Sequence, residues 1–318
     1  MKRFWIWLFT AVLCLFCLGC GQPKEGGGEG SQRTITDAVG NEVTLPAKPQ
    51  RIVSMTLGTD ELLMDLVPTD RIAALTYLSD DSGISHISER SGAVEHKIRG
   101  TSAEAILALH PDLILIGDWW KLEFLATFRD MGIPVYVYKT PYTVDDVEKM
   151  IVEVAGAVGE EERGQALREE YHRRIEKVQR MAAREKQRSV LAIAGAGGAA
   201  YGTKGSMYDD MCRYAGIYNV LRDITANGNT RVSKEIIIEK NPDVILLPAW
   251  TTAGMEDVPS REELLSDPAL ATVEAIREGR IVSVSGRTLY CVSHYVADGI
   301  EELATAVYPK AFLREGTS

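Results

Sequence analysis

The sequence predicts an α/β protein of two similar lobes, each built on a mainly parallel sheet, joined by one long helix and leaving a ligand cleft between them. Three observations carry this. Residues 102–119 and 233–250 repeat one another 131 positions apart: Ser102/Ser233, Glu104/Glu235, Ile106/Ile237, Pro111/Pro242, Asp112/Asp243, Ile114/Ile245, Leu115/Leu246 and Trp119/Trp250 match without a gap. Short apolar runs alternate with helical patterns through both halves. Between the halves, 160–186 reads as a single amphipathic helix. A period this long marks two lobes and not a solenoid.

The elements follow in order. Residues 1–19 read as an export signal, with Lys2 and Arg3 ahead of the apolar run 4–18. That run is shorter than the ~20 residues a membrane-spanning helix needs. Gly19-Cys20 resembles a lipoprotein cleavage site, with Cys17 where leucine is usual, so Cys20 is expected to become a lipidated N-terminus. Residues 20–33 then form a polar, flexible tether. The first lobe, 34–158, takes strands at Arg51–Met55, Arg71–Leu75, Asp112–Ile116 and Pro134–Tyr138. Its helices fall at Thr59–Val67, Ser102–His110, Trp120–Met131 (stopped by Gly132) and from the Thr143 cap to Val158.

The linker, 159–187, carries Leu167, Tyr171, Ile175, Val178 and Ala182 on one stripe. Its acids lie first and its bases last, as the helix dipole favours. A single helix about 40 Å long predicts little hinge opening. The second lobe, 188–318, takes strands at Ser189–Ala194, Asp243–Leu247 and Arg280–Val284. Its helices fall at Ser206–Ala215, Ser233–Lys240, Arg261–Leu265 and Ala297–Val307.

The full chain has 35 basic and 45 acidic residues. Without Lys2 and Arg3 the bases fall to 33, a net charge of −12, which argues against a nucleic-acid partner. Beyond residue 20 the only thiols are Cys212 and Cys291, and spacing alone leaves their pairing open.

Aromatic residues are the strongest pointer to a site. Tyr77, Trp119, Trp120, Tyr201, Trp250, Tyr290, His294 and Tyr295 all follow predicted strands. In open parallel sheets, ligands sit outside the carboxyl ends of the strands, and clustered aromatic faces suit a large, flat or greasy guest. Any one of them would equally pack against a neighbouring loop. Glu104 and Glu235 occupy matching helix starts, where an acid favours the dipole and also offers one anionic point per lobe to a partner. Gly195-x-Gly197-x-x-Ala200 mimics a dinucleotide loop, but Gly202 and Gly205 interrupt the helix that should follow. An exported nucleotide-dependent oxidoreductase is the rival reading, and saturable NADH binding would revive it. His86 and His96, ten apart in a loop, do not make a metal site by spacing, and no cluster of His and carboxylates for a bare metal ion is legible. No catalytic triad or phosphate loop is present, so no enzyme activity and no cofactor are expected.

The segment T-I-T-D-A-V-G-N-E-V-T-L-P-A-K-P-Q-R-I-V-S-M at 34–55, the two repeats, G-S-M-Y-D-D-M-C-R-Y-A-G-I-Y-N-V at 205–220 and A-I-R-E-G-R-I-V-S-V at 275–284 resemble the helical-backbone substrate-binding proteins of ABC importers for iron–siderophore complexes, haem and cobalamin. The resemblance covers about 34 to 310. It implies Rossmann-like lobes, a shallow cleft, and a monomeric extracytoplasmic receptor held to the membrane by its lipid. It also implies docking of Glu104 and Glu235 on arginines of a permease dimer served by its ATPase. Tyr77 and Tyr201 fall at positions similar to the corrin cradle of cobalamin binders. The aromatics that would precede each docking acid are replaced by Ile98 and Asn229. Anionic siderophores imply cleft cations, for which Lys121, Lys204 and Arg287 are candidates. Haem implies Tyr290, His294 or Tyr295 as iron ligand. The ligand expected on this reading is a metal chelate, a ferric siderophore ahead of cobalamin or haem.

Overall fold

A computed structural model describes residues 31–100, 102–194, 202–223, 232–249 and 258–312. Gln32–Ser318 forms one compact unit, and everything below concerns that unit. In chain order the first half contains β1 (Gln32–Thr36), β2 (Glu42–Pro46), β3 (Ile52–Ser54), α1 (Leu57–Leu66), β4 (Ile72–Thr76), β5 (Lys97–Ile98), α2 (Ala103–Leu107), β6 (Leu113–Gly117), α3 (Leu122–Asp130), β7 (Val135–Tyr138) and α4 (Val144–Val158). Then come α5 (Glu161–Ala182), β8 (Ser189–Ala192), α6 (Met207–Tyr214), β9 (Tyr218–Asn219), α7 (Lys234–Lys240) and β10 (Val244–Pro248). The chain continues through α8 (Arg261–Ser266), α9 (Glu274–Arg277), β11 (Ile281–Val284), α10 (Gly286–Tyr290), α11 (Val296–Val307) and α12 (Pro309–Phe312).

The first sheet runs β5-β4-β3-β6-β7 and the second β11-β10-β8-β9, with every pairing parallel. Apart from the short edge strand β5, the two orders superimpose: β4-β3-β6-β7 in one is β9-β8-β10-β11 in the other. The sequence repeat is therefore the α2–β6 and α7–β10 unit. Its Pro-Asp does more than stop a helix. Asp112 accepts the N–H groups of Gln50 (2.7 Å) and Arg51 (2.8 Å) at the start of β3. Asp243 accepts the N–H of Ser189 (2.8 Å) at the start of β8. In each lobe the repeated aspartate pins the neighbouring central strand.

Both sheets are buried on two faces, as parallel sheets are. The outer face of the first, through Val53, Ile114 and Ile116, packs on Ile106 of α2 and Phe128 of α3. The outer face of the second, through Leu191, Ile245 and Leu247, packs on Ile237 of α7 and Leu264 of α8. The inner faces share one continuous core: Ile52, Leu113 and Leu115 join Val190, Val244 and Leu246 through α4, α5, α6 and α11.

The linker helix α5 has 22 residues, about 33 Å, shorter than its expected span because the last turn opens after Ala182. Tyr171, Ile175, Val178 and Ala182 are buried as the stripe predicts. Its joint with α4 is Gly159, held at φ +71 within 2.2 Å (from an ideal Cβ) of the Ala47 carbonyl oxygen. The Arg71 guanidinium secures this joint, donating to Val158 O (2.5 Å) and Glu160 Oε1 (2.5 Å). A hairpin of β1 and β2, joined by a turn in which Asp37 accepts the N–H groups of Val39 and Asn41, precedes the first lobe.

Candidate functional site

Because all strands of a parallel sheet run one way, their carboxyl ends share one edge. In the first lobe that edge presents Tyr77 directly after β4, Trp119 two residues after β6 and Tyr142 four residues after β7. These are 44, 62 and 57 % exposed, and among the described residues they are all of the exposed Phe, Trp and Tyr side chains. Burying them would be favourable, so their common placement marks a surface that meets an apolar face.

Local structure explains each position. Thr76, just before Tyr77, donates its N–H (3.1 Å) and hydroxyl (2.5 Å) to Asp60 of α1. Burial pushes the Asp60 carboxyl up to about 8, so at neutral pH this anchor is mainly the uncharged acid. Arg99 lies over the Tyr77 ring at 4.9 Å. Gly117 has no side chain to collide with the Trp119 indole, whose Nε1 would lie 2.7 Å from a Cβ there. Trp119 stacks on Trp120 at 4.9 Å, and Trp120 on Phe124 at 4.8 Å, so the exposed ring stands on a half-buried aromatic column.

Polar groups are interleaved with these rings. Lys139 reaches Asp118 at 2.7 Å. Burial alone would raise the Asp118 carboxyl, but the bonds from Lys139 and Thr140 hold it below the ordinary value. Trp120 Nε1 and Thr140 Oγ1 are buried without a hydrogen-bond partner among the described residues. A buried donor left unpaired is costly. Both atoms are enclosed by protein, and Thr140 donates its backbone N–H to Asp118 at 3.1 Å.

The other expected residues divide into three groups. Tyr201 and Trp250 lie outside the described residues, as do Cys20 and Asn229. Lys121 and Lys204 are exposed at the strand mouths. Arg287 instead crosses to the first lobe, donating from Nε to the Ser82 carbonyl at 2.9 Å. Tyr290 is half-buried and donates to Ala194 O at 2.7 Å, beyond the end of β8.

His294 and Tyr295 are placed in the joint between the halves. His294 Nε2 lies 2.9 Å from Asp65 Oδ2, and the Tyr295 hydroxyl donates to that oxygen at 2.8 Å. Arg90 donates to Asp65 Oδ1 (2.9 Å) and to the Tyr295 hydroxyl (2.8 Å). Burial opposes the Asp65 anion, yet the bonds from His294, Arg90 and Tyr295 hold its carboxyl well below the usual range. A Tyr295 phenolate ligand to iron would lose its bond to Asp65, whereas His294 Nδ1 is buried without a hydrogen-bond partner among the described residues. Asp65 and Arg90 carry no local sequence signal, since they are 25 positions apart and their partners His294 and Tyr295 lie more than 200 positions away. Tyr142 had one, an aromatic just past a strand, and was missed.

Glu104 and Glu235 are both exposed, on α2 and α7, behind the Ser102 and Ser233 caps. Glu235 is held below its ordinary range by the Ser233 hydroxyl and backbone N–H bonding. Cys212 and Cys291 are both free and buried. A cavity of about 890 Å³ opens beside β11, between Asp298, Glu301 and Glu302 of α11 and Ser82, Gly83 and His86 of the first half. It is lined at the carboxyl ends of β10 and β11 by Ala249, Ser285 and Arg287, and none of the three exposed aromatics of the first lobe lines it.

Two like lobes on a stiff linker, with an aromatic edge at the strand mouths, define a receptor for a small molecule. Residues 52–288 match the family described as periplasmic binding protein, and the chain belongs to that family, the substrate-binding component of ABC importers. It is 22 % identical to an uncharacterized ABC transporter substrate-binding lipoprotein, YvrC, of Bacillus subtilis, over 98 % of this chain and 99 % of that one. A cobalamin-binding protein of Halobacterium salinarum is 18 % identical over 86 % of this chain and 74 % of its own length. Among solved structures, the periplasmic heme-binding protein RhuT of Roseiflexus sp. RS-1 superimposes with a TM-score of 0.69 at 26 % identity, covering 82 % of this chain and 99 % of that one.

Proposed function

We propose that this receptor captures a flat metal chelate of the corrinoid class and delivers it to an ABC permease without changing it covalently. The observation that carries this is the confinement of every exposed Phe, Trp or Tyr among the described residues, namely Tyr77, Trp119 and Tyr142, to one sheet edge. A macrocycle offers a broad apolar face to such rings. The cobalamin-binding relative supports the same reading. A ferric siderophore is the second reading, favoured by the exposed Lys121 and Lys204. Against it, Lys139 is paired with Asp118 and Arg287 is bonded across the halves.

Titrating the purified chain with cyanocobalamin, haemin and ferric siderophores under Trp fluorescence separates these readings. Sub-micromolar quenching by cyanocobalamin is expected. Trp119→Ala and Tyr142→Ala should each weaken it by about 0.5–1.5 kcal/mol beyond lost area, some 2- to 13-fold. Quenching by a siderophore alone would replace the corrinoid reading.

Cys20 is proposed to anchor the chain outside the cell membrane. Among the described residues no helix is long and apolar enough to cross a membrane. Cys20→Ser should move the chain out of the membrane fraction, and retention there would remove the anchor. Glu104 and Glu235 are proposed as the docking acids. Each sits on an outer-face helix at the same register of its lobe, so the two carboxylates repeat the lobe symmetry on the surface.

A further inference from the structure

His86 gave no metal signal by spacing, because its neighbours in the fold come from distant parts of the chain. Glu61 projects from α1, His86 lies in the loop between β4 and β5, and Cys291 follows α10 in the second half. A Glu61 carboxylate oxygen, a His86 ring nitrogen and the Cys291 Sγ all lie within 4.8 Å of one another. Glu61 Oε1 and His86 Nδ1 are 3.2 Å apart. Glu61 and Cys291 are 2 and 4 % exposed, so this is an interior cluster and not a solvated acidic patch.

Carboxylate, imidazole and thiol together suit a borderline-soft ion such as zinc, and they do not suit magnesium or calcium. Bonds of about 2.0–2.3 Å to a tetrahedral zinc put its ligand atoms roughly 3.3–3.7 Å apart. The Glu61–His86 separation already falls close to this, and Cys291 need move only about an ångström or so. Supporting groups are in place. Ser293 donates its hydroxyl to Glu61 Oε2 and lies 3.5 Å from Cys291 Sγ. The His86 N–H donates to Glu61 Oε1 at 2.9 Å. Tyr295 stacks on the His86 ring at 4.5 Å and 3°, fixing its plane. His86 also lines the cavity of about 890 Å³, which supplies an entry path and room for water.

We propose that Glu61, His86 and Cys291 form a site for a zinc-class ion, drawn from both halves, with its fourth position open to water. On binding, the Cys291 thiol loses its proton to solvent and His86 binds as the neutral ring. One thiolate, one carboxylate and one divalent ion sum to zero charge, the form that burial tolerates. The site shares no residue with the aromatic edge. It acts as a staple between the halves and is distinct from the transported chelate.

The test uses the full chain with Cys14, Cys17 and Cys20 changed to Ser, so that Cys212 and Cys291 are the only thiols. After metal removal it is titrated with cobalt(II). One equivalent should give a thiolate-to-cobalt charge-transfer band, which zinc then displaces. The band should vanish in Cys291→Ser, and Glu61→Gln and His86→Gln should weaken binding by about tenfold or more. If those variants fail to fold, alkylation mapping of the otherwise unaltered chain remains: zinc should slow modification of Cys291. No band at saturating cobalt, a band that persists in Cys291→Ser, or alkylation of Cys291 indifferent to zinc would each overturn the site.

Discussion

Uptake should be abolished when Glu104 and Glu235 are both changed to Arg, while ligand affinity stays within about twofold. Both acids are exposed and lie behind helix caps, so their loss does not disturb the core. Reversing the charge places cations against the arginines that a permease dimer would present, and like charges brought together in this way cost several kcal/mol. Each single variant should leave reduced transport, because one lobe still docks. The measurement is import of labelled ligand into cells or permease vesicles, beside ligand binding by the same purified variants. Normal import by the double variant would end the docking role. Loss of both import and binding would show instead that the change had damaged the fold.

Gly159→Val is expected to lower stability strongly. The residue sits at φ +71 between α4 and α5, where a side chain costs about 1–2 kcal/mol and a β-branched one more. Its Cβ would also lie 2.2 Å from the Ala47 carbonyl oxygen, which is backbone and cannot rotate aside. Overpacking of this kind adds about 1–3 kcal/mol. A total near 3 kcal/mol lowers Tm by roughly 6 °C or more at ~2–4 °C per kcal/mol. Gly132→Val is the control, since Gly132 has φ +73 with nothing within 4 Å of a Cβ. It should lose only the conformational part, and equal losses at both sites would mean that the Ala47 contact carries no weight.

Much of the fold was legible because parallel strands are buried on both faces and read as continuous apolar runs. The β3, β4, β6, β7, β8, β10 and β11 segments all fall within a residue or two of their expected bounds. The β1–β2 hairpin was missed although 34–45 alternates around a turn bearing Asp37 and Gly40, because its two five-residue strands offer only Ile35, Val43 and Leu45 as apolar positions. The strands β5 and β9 are two-residue edges, too short to carry a pattern. At the site, Tyr77 and Trp119 were legible from strand ends alone. His294 and Tyr295 were also recognised as unusual, but their partners Asp65 and Arg90 come from the other half, and no local spacing encodes that. The Glu61–His86–Cys291 cluster was invisible for the same reason.

The joint at Gly159, pinned by Arg71 and backed by a core that runs unbroken through both halves, has a consequence for traffic at the membrane. A receptor with one unbroken core would not announce its cargo by snapping shut. With Glu104 and Glu235 as docking points, idle and occupied copies would offer nearly the same pair of acids to the port and compete for it on similar terms. Flux would then follow the proportion of occupied copies waiting there, and an excess of idle ones would throttle import.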